Sequence, residues 1–288
     1  MHDYLLVHGA FSDASVWQTL VPHLESSGAR VTAITLPGHS PSDTAAAGGV
    51  TMDAYVASVI AALDASANPV ILVGHSLGGM AISGAAEGQP EKVAALVYLS
   101  AALPDSGKTL LDYTGTDTQS KLGAHLEVDA EHGIVNVGDA GKREALCNRS
   151  DASATAIALS FTYPQPLQPF ATPLALTPEK FGTVVRYYVT TSDDNAIGHK
   201  LQKHMYDAQP CTHVFSIDTD HMAMLSATTE VAKAFRDVRI AVGSAGSPCH
   251  RAARTKRARF LWLSSNSSRS RSRQNLHSAA VLGLQVAP

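Results

Sequence analysis

Short, almost unbroken apolar runs alternate along the chain with longer stretches in which small and apolar residues recur at helical spacing. The runs are YLLVH (4–8), RVTAITL (30–36), PVILVG (69–74), KVAALVYLS (92–100), VVRYYVT (184–190) and HVFSID (213–218). They lack the apolar–polar alternation of a strand with one wet face, so they read as strands covered on both sides. Between them the spacing predicts helices over Val16–Ser26, Met52–Ser66, Leu77–Glu87, Gly198–Asp207 and Thr228–Val238. Such alternation predicts an α/β fold with a doubly wound, mostly parallel sheet of about six strands.

The alternation breaks between Leu103 and about Pro178. This stretch is longer than a simple crossover, and its TYPQPLQPFATPLALTP segment has prolines too closely spaced for a regular helix. It is expected to be a cap inserted between two core strands, over the sheet edge where open α/β sheets bind ligands. The domain reading is therefore one α/β unit over 1–240, with the insertion at about 103–178, and a separate tail over 241–288. In that tail periodic apolar positions almost vanish, and SSNSSRSRSRQN reads as solvated and disordered.

Charge sharpens the division. The tail carries Arg251, Arg254, Lys256, Arg257, Arg259, Arg269, Arg271 and Arg273 with no acidic residue, whereas positions 1–240 sum to −11. A basic run can meet nucleic acid or an anionic membrane. This one lacks interleaved aromatics, and neither partner is expected. At 288 residues, 45% hydrophobic and 16% charged, the chain can bury a large core without staples. Cys147, Cys211 and Cys249 are odd in number and widely spaced, which predicts neither a zinc site nor a disulfide framework. No apolar run approaches the ~20 residues of a membrane helix. MHDYLLVHG has neither the basic start nor the long apolar stretch of a signal peptide. The expected location is cytoplasmic.

Chemistry concentrates at Gly74-His75-Ser76-Leu77-Gly78. A G-x-S-x-G follows a predicted buried strand and opens a predicted helix, the setting of a nucleophile elbow. A glycine-rich turn could instead cradle phosphate, but the Lys and Ser/Thr of a phosphate loop are missing. A serine hydroxyl needs a base, and the base needs a carboxylate to orient it. His221, in DTDHMAML, follows the last predicted strand at the same sheet edge. His8 and His39 lie upstream, and His75 is expected to point elsewhere along the turn. Asp193 and Asp194 in TTSDDN, or Asp105 in SAALPDSG, are the candidate acids. The amides of Ala10, in HGAFSDASVW, and of Leu77 are candidate donors to an oxyanion.

Taken together, LVHGAFSDASVWQTLVPHLESSGARVTAITLPGH, VILVGHSLGGMA, PEKVAALVYLSAALPD, RYYVTTSDDNAI and DHMAML resemble the α/β-hydrolases over about residues 4–240. They are most similar to the branch of plant methylesterases, the salicylic-acid-binding esterase and hydroxynitrile lyases, with bacterial esterase relatives. The resemblance implies Ser76 as nucleophile, His221 as base, Asp194 as acid and Ala10 and Leu77 as oxyanion-hole amides, with no cofactor or metal. Lyases of this branch carry Thr and Lys where this chain has Gly9 and Met222, which favours the esterase side. The expected activity is a serine carboxylesterase for small-to-medium hydrophobic esters. A hydroxynitrile lyase, a lactonase and a slow-turnover ligand-binding receptor are the alternatives. Phe11, Leu77, Met222, Leu126, Phe161 and Tyr163 are the expected pocket walls.

Overall fold

The structure, a computed structural model, describes residues 2–40, 43 and 48–245. All six predicted runs are strands of one parallel sheet: β1 (Tyr4–Val7), β2 (Val31–Ile34), β3 (Val70–His75), β4 (Val93–Leu99), β8 (Arg186–Thr191) and β9 (His213–Ile217). Their order is β2-β1-β3-β4-β8-β9, and every pairing is parallel. Successive side chains of a strand face opposite sides, and here both sides are buried. Leu5, Val7, Leu72, Leu96 and Tyr98 enter the core beneath α2 (Met52–Asp64) and α3 (Gly78–Gly88). Tyr4, Leu6, Ile71, Val73 and Val97 enter the opposite core, with Trp17, Val231 and Phe235. That double burial explains the unbroken apolar runs. The edge strands β2 and β9 are less completely buried.

One predicted helix divides. In place of a single helix over Val16–Ser26 there is a 3-10 turn, Ala14–Trp17, and then α1 (Val21–Glu25). Pro22 sits in the first turn of α1. A continuous helix would put Pro22 in its interior, removing a hydrogen bond and clashing with the preceding turn. α8 (His199–Ala208) falls where predicted. A short α9 (Ala223–Ser226) precedes α10 (Thr228–Ala245), which runs past its predicted end at Val238. The basic tail read over 241–288 thus begins inside α10, and from residue 246 onward it lies outside the described residues.

Between β4 and β8 the chain forms α4 (Leu110–Thr114), β5 (Leu126–Asp129), β6 (Ile134–Val137), α5 (Asp139–Gly141) and a π-helical turn, Lys142–Leu146. Then come α6 (Ala152–Ser160), β7 (Gln165–Pro166) and α7 (Gln168–Ala171). β5, β6 and β7 make a separate antiparallel sheet. In the proline-rich stretch the longest helix is the four-residue α7, with Pro169 in its first turn.

α10 belongs to the core. Phe235 is fully buried and stacks on Tyr4 at 6.3 Å, and the Tyr4 hydroxyl donates to the Phe235 carbonyl at 2.9 Å. Phe235→Ala is expected to lower the unfolding free energy in urea by about 3–5 kcal/mol.

Candidate active site

Ser76 stands between the end of β3 and the start of α3 with φ +53°, a left-handed conformation that L residues adopt only under constraint. Its neighbours impose it. The Ser76 N–H donates to the Leu99 carbonyl at 3.4 Å, and the Ser76 carbonyl accepts from Gly79 at 3.1 Å and Ala102 at 3.0 Å. The two glycines of the motif are sterically required. A Cβ on Gly74 would lie 2.8 Å from the Gly78 carbonyl atoms, and one on Gly78 would lie 2.6 Å from the His8 carbonyl oxygen. Among the described residues two further non-glycine residues have positive φ, Phe11 at 59° and Ser100 at 39°. Phe11 flanks Ala10 in the loop after β1, and Ser100 follows β4, so strain gathers around one site.

His221 and Asp194 form a buried pair, with Nδ1 of the imidazole 2.8 Å from Oδ2 of the carboxylate. An ionised carboxylate only accepts, so Nδ1 carries the proton and the neutral ring keeps its lone pair on Nε2. Asp194 accepts five hydrogen bonds. Oδ2 takes those from His221, Thr191 Oγ1 at 2.9 Å and Gln202 Nε2 at 3.1 Å, and Oδ1 takes the Ala196 and Ile197 amides at 2.8 Å each. The other candidate acids lie elsewhere. Asp193 is half-exposed and faces Arg149 at 3.9 Å, and Asp105 pairs with Gln209 and the Tyr113 hydroxyl.

The backbone around His221 is equally tied down. Its carbonyl accepts from His75 Nε2 at 3.1 Å and from Ser100 Oγ at 3.3 Å. His75 therefore turns toward His221, their ring centroids 4.6 Å apart, rather than away along the turn. Because a carbonyl only accepts, His75 carries its proton on Nε2, and its buried Nδ1 has no partner among the described residues. Asp220, fully buried beside His221, accepts from the Arg149 amide at 3.0 Å, Ser150 Oγ at 2.7 Å and Ser226 Oγ at 2.7 Å.

A cavity of about 480 Å³, counting its solvent-open mouth, brings these parts together. Ser76, His221, Ala10 and Leu77 line it, with Phe11 and Met222 from the predicted walls. Among the described residues neither the Ala10 nor the Leu77 amide donates to a protein acceptor, and Leu77 caps the N-terminus of α3. Both are therefore available to an anion at a helix start.

Leu126, Phe161 and Tyr163 do not line the cavity. Leu126 packs behind Phe11 against Val135 and Val137. Phe161 is buried in the core beneath α10, and Tyr163 packs on its edge. The walls that the sequence reading missed are Leu110, Thr114, Leu122, Leu146 and Phe170 from the insertion, with Ala196 and Ile197 beside Asp194. Gln202 and Asp220 were also missed. An amide on the buried face of α8, between Leu201 and Met205, was the one available signal for Gln202.

The chain belongs to the alpha/beta hydrolase family, whose model matches residues 4–234. Among its relatives, the pyrethroid hydrolase of Sphingobium wenxiniae is 31% identical, over 82% of this chain and 86% of that protein. Putative methylesterase 11, chloroplastic, of Arabidopsis thaliana is 30% identical over 77% of this chain, which spans only 60% of that protein. The crystal structure of polyneuridine aldehyde esterase superposes with a TM-score of 0.73 at 26% identity, covering 83% of this chain and all of that one. Among the described residues no helix is long and apolar enough to cross a membrane.

Burial makes the site acid-sensitive. It holds the His8 imidazole down at about 4 and His39 at about 3, and pushes His75 well below 6.5. Unfolding returns each to about 6.5, so between that value and the folded one the unfolded chain binds the extra protons. Stability is expected to be level above pH 6.5 and to fall as pH drops toward 5, above the carboxylate range. The slope approaches ~1.4 kcal/mol per pH unit for each imidazole. Urea melts across that window measure it, and His39→Phe should remove one proton from the slope.

Gln202 supplies a second expectation. Gln202→Leu leaves buried acceptors on Asp194 and the Ile197 carbonyl with one partner fewer, a loss of about 1–3 kcal/mol for a group left unpaired. Gln202→Glu adds a like charge against Asp194 and should be the less stable variant in urea at neutral pH.

Proposed function

We propose that this hydrolase is a serine carboxylesterase acting on small-to-medium hydrophobic esters through an acyl-enzyme. The observation that carries the reading is the buried Asp194–His221 pair opening on the same cavity as Ser76, itself held at φ +53°.

His221 Nε2 takes the Ser76 proton as Oγ attacks the ester carbonyl, and the Ala10 and Leu77 amides hold the resulting oxyanion. Asp194 fixes the tautomer that makes Nε2 the base and stabilises the imidazolium that follows. The imidazolium protonates the leaving alkoxide. A water then repeats the sequence on the acyl-serine, releasing the acid and restoring Ser76. The cavity walls argue for a hydrophobic substrate, since among the described residues no Asp, Glu, Lys or Arg lines them. That includes the position after His221, where Met222 offers no ammonium to a departing cyanide. The free, unpaired Cys147 and Cys211 suit our placement of the reaction in a reducing cytoplasm.

Ser76→Ala is expected to lower kcat on p-nitrophenyl esters by a factor on the order of 10⁴ or more, and to abolish labelling by a serine-reactive phosphonate. Asp194→Asn should lose about 10⁴ in kcat, because the amide holds the wrong tautomer. Asp193→Asn and Asp105→Asn should stay close to the parent. A large loss at either of those positions, with Asp194→Asn active, would overturn the acid assignment.

A further inference from the structure

The peptide that joins His221 to Met222 is held at both of its polar groups. Its carbonyl accepts from His75 Nε2 at 3.1 Å and from Ser100 Oγ at 3.3 Å, and its N–H donates to the Leu146 carbonyl at 3.2 Å. A peptide is planar, so these three bonds fix the plane that contains the His221 Cα. Two of them come from the ends of β3 and β4, and the third comes from the insertion.

As packing alone, an imidazole is a poor choice at position 75. His75 is buried, its Nδ1 has no partner among the described residues, and burial pushes its pKa well below 6.5. A buried acceptor left unpaired destabilises the fold, and an apolar side chain of similar size would not carry one. What the ring supplies is an Nε2–H on the His221 carbonyl and an uncharged face beside the His221 imidazole, their centroids 4.6 Å apart. Ser100 combines cost and contact in the same way. It holds a left-handed φ of 39° while its hydroxyl reaches that same carbonyl.

Resting on the esterase reading, we propose that His75 is a positioning residue for the reaction: its Nε2–H, together with the Ser100 hydroxyl, fixes the backbone of His221. Asp194 sets the ring from Nδ1 and His75 sets the residue from its carbonyl, so the base is held at both ends. The middle residue of the elbow thus serves the base as well as the turn. Attack on the ester and release of the acyl group use the same base. Loosening it slows both steps alike and leaves KM unmoved, whereas a residue that only walled the cavity would move KM and spare kcat.

The test uses the full-length protein, with steady-state kinetics on p-nitrophenyl butyrate and urea melts of each variant. His75→Met fills the space without a donor. Its kcat is expected to fall about ten- to hundredfold at unchanged KM, with an unfolding midpoint no lower than the parent's. His75→Gln carries an amide N–H about as far out as Nε2 and should recover most of the lost kcat. His75→Asn ends near the place of Nδ1 and should not. Ser100→Ala, which leaves the carbonyl one donor, should lose kcat several-fold at unchanged KM. Parental kcat in His75→Met overturns the inference, as does a raised KM at parental kcat. So does a joint loss of activity and stability that His75→Gln fails to recover. If His75→Met does not fold, equal kcat in the Gln and Asn variants overturns it instead. In each of these cases a parent that labels on Ser76 leaves the esterase reading standing. A parent that releases no p-nitrophenol and takes no serine-reactive phosphonate on Ser76 overturns that reading, and the inference with it.

Discussion

There is no spare room around the backbone of Ser76, and most of the architecture follows from that constraint. To hold φ +53° the residue must be gripped from several sides, and a left-handed non-glycine residue costs on the order of 1–3 kcal/mol. The grip comes from the end of β4, through Leu99 and Ala102, and from the loop after β1, which approaches so closely that Gly9 can carry no Cβ. A side chain there would meet Ser76 Cβ at 2.6 Å. The same approach brings Ala10 to the cavity. Steric exclusion at one serine thus also sets where the Ala10 amide lies.

Polar burial is the second constraint. Asp194 sits 4% exposed, and among the described residues it has no cationic partner other than a protonated His221, so hydrogen bonds satisfy its carboxylate. Gln202 is the centre of that support. Its Nε2 serves Asp194, Thr191 and the Ile197 carbonyl, and its Oε1 takes Thr190 Oγ1 and the Thr191 amide. A side chain linking the end of β8 to α8 in this way makes the Asp194 loop rigid without placing any group in the cavity. Rigidity matters here because the tautomer of His221 depends on one 2.8 Å contact.

The legible and illegible parts of the sequence differ in kind. Strands covered on both faces leave continuous apolar runs, so β1, β3, β4 and β8 could be read directly. The elbow was readable because its glycines are enforced by backbone contacts within and beside the motif itself. Pro22 was visible too, but its effect, a restart at Val21, needed the helix geometry to be worked out. Cavity walls leave no such trace. Leu122 and Leu146 line the cavity whereas Leu126 and Phe161 pack into hydrophobic clusters without lining it, and all four belong to the same irregular insertion. Nothing in local periodicity distinguishes them, because which face is turned to the cavity is set by contacts remote in sequence. Asp220 shows the same limit, since its partners Arg149 and Ser150 lie about seventy positions away.

Those remote contacts also decide what kind of cap this is. The Leu146 carbonyl accepts the Met222 amide at 3.2 Å, and the next residues of the insertion bond to Asp220, Asp193 and Asp218. Asn195, beside Asp194, donates to the Glu144 carbonyl at 3.0 Å and accepts from the Lys121 amide at 2.7 Å. The segment that shapes the cavity is thus hydrogen-bonded to both the His221 loop and the Asp194 loop. A lid swinging freely over a finished site would have to break these bonds on each opening. With the bonds in place, the Leu146 wall and the His221 imidazole form parts of one hydrogen-bonded body. A substitution in the insertion that changes cavity shape therefore also acts on the position of the His221 imidazole.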